Sequence, residues 1–273
     1  MNLSKIFISF VCCFQLFISF SSYSNLLISP TRVSFDDRQR VAKVIVINSS
    51  DEYKTYRLAW QEKVSKPEGG YTTLPDDKTN PTSLSDMVRL SPSQVRLAPG
   101  ERQIVKLALR KPKDLAEQEY RSHLLFQVLP SEDKSAAERM RIKIDLILSY
   151  SIPVILRQGA ELPKVDIESV ELLKTNALLV SLSRKGKYSS FGKVEAFFTE
   201  NNSNEEVKVS MVSDYSIYTE VAVAKLTLNL FEANAIKGPG KLRIVYSGSK
   251  EYRGITFAEK TVNINANSSG FLN

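Results

Sequence analysis

The sequence predicts an all-β protein made of two β-sandwich domains in tandem. Its apolar segments alternate with a period close to two and are rich in valine, isoleucine, leucine, tyrosine and phenylalanine. Turn-forming residues separate these segments, as at Asn48-Ser49-Ser50 and Gly238-Pro239-Gly240. About seven short strands at this spacing within roughly 130 residues are typical of an immunoglobulin-like sandwich. We therefore expect two immunoglobulin-like β-sandwich domains.

Residues 1–24 have the pattern of a cleaved signal peptide. Lys5 is the only charged residue in this segment, and an apolar run follows it. The run ends in small residues, so we expect cleavage after Ser24. An uncleaved anchor is the alternative, which the serine and glutamine residues within the run disfavour. The mature chain is therefore expected to be exported from the cytoplasm.

The mature chain is expected to lack cysteine, since Cys12 and Cys13 both lie in the signal peptide. Burial of apolar side chains must then stabilise it without disulfides, and roughly 250 residues are enough for two ordinary domains. The break at Gln158-Gly159 and Leu162-Pro163 predicts an N-terminal domain over 25–157 and a C-terminal domain over 158–273. No further stretch has the length of a membrane span.

Charge and motif content disfavour nucleic-acid binding and catalysis. The net charge is +7, but lysine and arginine are scattered along the strands, which is typical of solvated strand faces. A carboxylate-bearing partner is the alternative interpretation of the basic surface. His123 is the only histidine, so we expect it to be structural and expect no metal site and no cofactor. A carboxylate pair, as in a glycoside hydrolase, stays open from the sequence.

Three segments occur in an order that resembles a known family. They are 26–35 (LLISPTRVSF), 88–101 (VRLSPSQVRLAPGE) and 119–130 (EYRSHLLFQVLP). Together they resemble the PapD-like periplasmic chaperones of the chaperone–usher pathway of pilus assembly. The resemblance implies a protein that binds, stabilises and delivers pilus or fimbrial subunits to an outer-membrane usher, without enzyme activity. A secreted structural or adhesive protein of immunoglobulin-like domains is the alternative.

The family resemblance implies that a strand late in the first domain is lent to the subunit, which is donor-strand complementation. Segment 139–149 fits this role, because alternate apolar residues share one face. Burying four such side chains contributes ~6–12 kcal/mol before ordering costs. An ordinary half-buried strand is the alternative. The predicted donor face consists of Met140, Ile142, Ile144 and Leu146.

The resemblance also implies two basic residues that bind the C-terminal carboxylate of the subunit. Arg32 matches the first of them by its place in the segment Ser29-Pro30-Thr31-Arg32-Val33. The second is a lysine late in the lending strand, where the aligned position is closer to Ile147. Lys143 is the nearest lysine, and we take it as the candidate for the second anchor.

Overall fold

The computed structural model describes residues 26–36, 38–75, 77–130, 149–233, 235–265 and 270–272. Within these residues the chain is built from strands, with two short 3-10 turns at Ser85–Met87 and Lys250–Tyr252. The strands form two separate sandwiches, each with its own apolar core. The predicted all-β fold of two tandem immunoglobulin-like sandwiches is therefore confirmed. None of the helices in the described part of the chain could cross a membrane.

The first sandwich packs a four-stranded sheet, ordered β1-β3-β9-β7, against a five-stranded sheet, ordered β2-β11-β10-β4-β8. Alternate residues of facing strands fill the space between them, which is the packing that the period of two predicts. The strands are β1 (Leu26–Ser29), β2 (Val33–Phe35), β3 (Val41–Asn48), β4 (Lys54–Gln61), β5 (Lys63–Ser65), β6 (Tyr71–Thr73), β7 (Val88–Ser91), β8 (Gln94–Leu97), β9 (Arg102–Leu109), β10 (Glu119–Leu129) and β11 (Ser149–Arg157).

The first apolar segment divides between the two sheets. β1 pairs with β3 in one sheet, whereas β2 runs parallel to β11 in the other, with Val33 opposite Val154. Pro30 lies between the two strands, and it has no backbone N–H that could donate to a neighbouring strand. Arg32 directly precedes β2, so it lies where the chain enters the sheet that contains β11.

The second sandwich consists of two four-stranded sheets, ordered β16-β13-β12-β19 and β15-β14-β17-β18. A register shift between Ile167 and Ser169 interrupts the alternation of β12, so the sequence pattern does not predict this strand. The strands are β12 (Lys164–Leu173), β13 (Ala177–Lys185), β14 (Ser190–Glu200), β15 (Val207–Ile217), β16 (Val223–Asn229), β17 (Gly240–Gly248), β18 (Thr256–Ile264) and β19 (Gly270–Leu272).

A small hairpin made of β5 and β6 connects the two sandwiches. The Lys225 backbone N–H, in the second sandwich, donates to the Pro67 carbonyl at 2.8 Å. The Tyr71 hydroxyl donates to the Tyr218 hydroxyl at 3.0 Å. The hairpin thus belongs to the first sandwich by sequence but binds the second one through its turn and its second strand.

Candidate functional site

Arg32 is buried between the two sandwiches. Its side chain is 4% exposed, and Nη1 donates to Glu251 Oε1 at 2.6 Å. The guanidinium also lies over the ring of Phe191, 4.3 Å from its centroid. Nε and Nη2 are buried and have no hydrogen-bond partner among the described atoms. Because buried guanidinium donors are normally satisfied, these two N–H groups are available to the acceptor of a ligand.

The cleft around Arg32 has a volume of about 530 Å³. Four cationic side chains and two carboxylates line this cleft, so its local charge is positive. A cleft of this composition favours an anionic ligand group over a cationic one. The lining residues are Arg32, Ser34, Phe35, Asp36, Arg38, Gln39, Arg157, Gly159, Lys250 and Glu251.

Arg157, at the end of β11, is held against the second sandwich by aromatic rings. Its guanidinium lies 5.0 Å from the ring centroid of Tyr188 and 4.7 Å from that of Tyr252. Nη2 donates to the Glu161 carbonyl at 2.9 Å, whereas Nε is buried without a partner among the described atoms. These contacts fix the C-terminal end of β11, the strand that follows the predicted lending segment.

Glu119 forms a second link between the sandwiches. Its Oε2 accepts from the backbone N–H of Ser189 at 2.8 Å and from the Ser189 hydroxyl at 2.6 Å. Burial raises the pKa of this carboxyl, while the two bonds from Ser189 act in the opposite direction. The link ties the first residue of β10 to the residue that precedes β14.

Arg121, two residues further along β10, forms a third link. Its Nη2 donates to Glu220 Oε1 at 2.5 Å, and its guanidinium lies 3.9 Å from the ring centroid of Tyr218. The Ser65 backbone N–H donates to the same Glu220 oxygen at 2.7 Å. Glu220 therefore joins the hairpin, β10 and the second sandwich at one point.

His123 is fully buried beside this link. Its ring packs edge-on against that of Tyr71, with centroids 4.7 Å apart. Burial, reinforced by the charges of Arg121 and Lys63, lowers the pKa of His123 to about 3. The ring is therefore neutral at ordinary pH, and such a ring supports packing between the hairpin and the sheet.

The described residues include one of the predicted site residues, and the others lie outside them. Arg32 lies in the cleft with two free donors. The second predicted anchor, Lys143, and the predicted donor face, namely Met140, Ile142, Ile144 and Leu146, lie outside the described residues. The predicted signal peptide, residues 1–24, also lies outside them.

Sequence reasoning missed the contributions of the second sandwich to the cleft. Lys250 and Glu251 line it, and Phe191 packs against the guanidinium of Arg32. No local pattern could have found them, because Glu251 is 219 positions from the arginine that it binds. The one available signal was the Glu-Tyr-Arg sequence at 251–253, which repeats that at 119–121.

Comparison with known proteins gives one match in sequence. Residues 25–158 match the family model of the pili and flagellar-assembly chaperones, PapD N-terminal domain. No curated protein matches the chain.

Solved structures give distant similarities. The chain is similar to the CsuC chaperone in its complex with the CsuE tip adhesion subunit from Acinetobacter baumannii, at 12% identity and a TM-score of 0.44, covering 89% of this chain and 99% of that one. It is also similar to the structure of the SafA pilin with the SafB chaperone from Salmonella enterica, at 12% identity and a TM-score of 0.45, covering 90% and 99%. For the E. coli chaperone DraB the identity is 14% and the TM-score 0.43, covering 89% and 96%.

Proposed function

Because the chain belongs, through residues 25–158, to the PapD-like family of pilus-assembly chaperones, we propose that it binds and stabilises pilus or fimbrial subunits in the periplasm. In this proposal it delivers them to an outer-membrane usher and lends them a strand until they are released. It acts by stoichiometric binding, without a catalytic step or a cofactor. We also propose the division into a signal peptide, residues 1–24, an N-terminal domain, 25–157, and a C-terminal domain, 158–273.

The observation that carries the proposal is the pair of unpartnered donors on Arg32. Nε and Nη2 are buried in a positively charged cleft, so a ligand that offers two oxygen acceptors would satisfy both. A terminal carboxylate has this geometry and can bind a guanidinium through two parallel bonds. Such a contact would fix where the chain of a subunit ends, and with it the register of the added strand.

The edge of β11 supports the proposed strand addition. β2 pairs with β11 only from Val154 to Leu156, whereas β10 pairs with all of β11 on its other side. Among the described strands, none pairs with residues 149–153 on the β2 side. An open edge of this kind exposes backbone donors and acceptors that can bind an extended segment.

The alternation of buried residues along β11 supports the predicted donor face. Ile152, Val154 and Leu156 are buried in the first core. A strand that continues straight towards the N-terminus keeps even-numbered residues on that same side. The even-numbered donor residues, Met140 to Leu146, would then lie in line with the core of the first sandwich and could complete the core of a subunit.

Capture of subunits from the native host tests the proposal. The tagged protein is purified from the periplasm while pili are being made, beside Arg32→Ala and Ile144→Asp variants, and bound chains are identified by mass. We expect near-stoichiometric capture of small secreted subunits by the wild type and loss of capture in both variants. Arg102→Ala, at an exposed arginine of β9, and Ile144→Leu are the matched controls and should capture normally. Recovery of the wild-type protein alone would contradict the proposal.

A further inference from the structure

We propose that Lys250, in the second sandwich, supplies the second cation of the carboxylate site and forms with Arg32 a clamp that bridges the two sandwiches. This inference rests on the proposed function, because it assigns the ligand of the same cleft. It differs from the sequence expectation, in which Lys143 of the lending segment is the second anchor.

The first argument is the convergence of the two cations. The Arg32 guanidinium carbon lies 4.3 Å from the centroid of the Phe191 ring, and Lys250 Nζ lies 5.3 Å from the same centroid. Both residues also line the same cleft, and both line the smaller depression that continues from it along β3. Because both residues contact one ring and line one cleft, a single ligand in that cleft can contact both.

The second argument is that Lys250 is held in position by the backbone. Its φ is 53°, in the left-handed region that residues with a Cβ atom rarely adopt. The turn around it is fixed by two bonds: Ser249 N donates to the Phe191 carbonyl at 3.0 Å, and the Tyr252 hydroxyl donates to the Ser189 carbonyl at 2.6 Å. Strain of this kind persists only where the surroundings hold it, and it often accompanies a functional position.

The third argument is the distribution of charge. Glu251 neutralises one edge of the Arg32 guanidinium, but no carboxylate of the described residues lies within 4 Å of Lys250 Nζ. Arg32 and Lys250 are two cations in one cleft, so they repel each other when the cleft holds no ligand. An added carboxylate that accepts from Arg32 Nε and Nη2 would relieve this repulsion. Lys250 would therefore increase the affinity of the cleft for a carboxylate.

A titration with a small carboxylate tests the clamp. The probe is the dipeptide N-acetyl-Val-Tyr with a free acid terminus, and the same peptide with a C-terminal amide is the control. Binding is followed by nitrogen-15 NMR of the purified, labelled protein, through the Nε–H signal of Arg32. We expect the acid to shift this signal saturably and the amide to leave it unchanged.

Variants of Lys250 then separate the effect of its charge from the effect of its backbone conformation. Lys250→Asn removes the cation and keeps a residue that tolerates positive φ, so we expect an unchanged or higher melting temperature and about tenfold weaker binding of the acid. Lys250→Arg should restore binding to near the wild-type value. Lys241→Asn, at an exposed lysine of β17, is the matched control and should bind as the wild type does.

Two results would overturn the clamp. Either the acid shifts the Arg32 signal no more than the amide does, or Lys250→Asn binds the acid as tightly as the wild type. Subunit capture keeps this failure distinct from failure of the proposed function. A Lys250→Asn variant that captures subunits at the wild-type level would reject the clamp and leave the chaperone proposal standing, whereas a wild-type protein that captures none would reject the chaperone proposal itself.

Discussion

Arg32 donates from Nη1 to Glu251 Oε1 at 2.6 Å, and this ion pair joins the start of β2 to a turn of the second sandwich. The pair uses one edge of the guanidinium and leaves Nε and Nη2 for a ligand. Glu251 therefore orients the arginine, but its charge also competes with any carboxylate that enters the cleft.

Glu251→Gln should separate these two effects. Removing the carboxylate leaves the buried Arg32 without its counter-charge, so we expect a loss of about 1–3 kcal/mol in the free energy of unfolding. The same variant should bind a carboxylate probe more tightly than the wild type. Urea unfolding and probe titration measure the two quantities. Glu259→Gln, which breaks an exposed pair with Arg243, is the control and should cost about 0.5 kcal/mol or less. Weaker probe binding by Glu251→Gln would contradict this account of the site.

Gly159→Ala should destabilise the junction between the sandwiches. Gly159 has a φ of 104°, and a Cβ atom there would lie 2.4 Å from the Tyr188 hydroxyl. That hydroxyl donates to the Gln158 carbonyl at 2.5 Å, so it cannot move without breaking the bond. We expect a loss of about 1–3 kcal/mol in urea unfolding. Gly70→Ala is the control, since Gly70 has a φ of 74° and no atom within 4 Å of such a Cβ. Equal losses in the two variants would show that contact with Tyr188 is unimportant.

His123 should make the protein less stable as the pH falls from about 6.5 towards 3. In this window the unfolded histidine binds a proton and the buried one does not, so acid favours the unfolded state. The stability that depends on His123 is fully present above pH 6.5, the unfolded value. His123→Leu should flatten the dependence of the unfolding free energy on pH. Ordinary glutamates have a pKa of 4.5, so the effect of His123 is measured between pH 6.5 and 4.5, above their titration. Urea unfolding at several pH values measures the slope, and an unchanged slope would contradict the assignment.

The Tyr71–Tyr218 contact should stabilise the attachment of the hairpin to the second sandwich. The two hydroxyls are 3.0 Å apart, and both rings lie near Arg121. A double-mutant cycle of Tyr71→Phe and Tyr218→Phe should give a coupling of about 0.5–1.5 kcal/mol, since each change removes one hydroxyl and keeps the ring. Additive losses in urea unfolding would mean that the hydroxyls do not interact in solution.

The two sandwiches could be predicted from the sequence, because strand alternation is a property of short segments. A local motif also singled out Arg32, which lies in the cleft. The strand β12 could not, since the irregularity at Ile167 and Ser169 hides its period. Lys250 and Glu251 could not either, because only the packing of one sandwich on the other brings them to Arg32. The donor face and the anchor roles of Arg32 and Lys143 remain predictions.

Hydrogen exchange at residues 139–148 tests the central claim most directly. The amides of this segment are compared between the free protein and the complex with a captured subunit. If the segment is lent as a strand, its backbone pairs with the subunit, and we expect exchange to slow by about a hundredfold or more at alternate amides. Amides of the second sandwich, such as those of β18, are the internal reference and should exchange at the same rate in both states. Unchanged exchange at 139–148 in an intact complex would contradict donor-strand complementation by this protein.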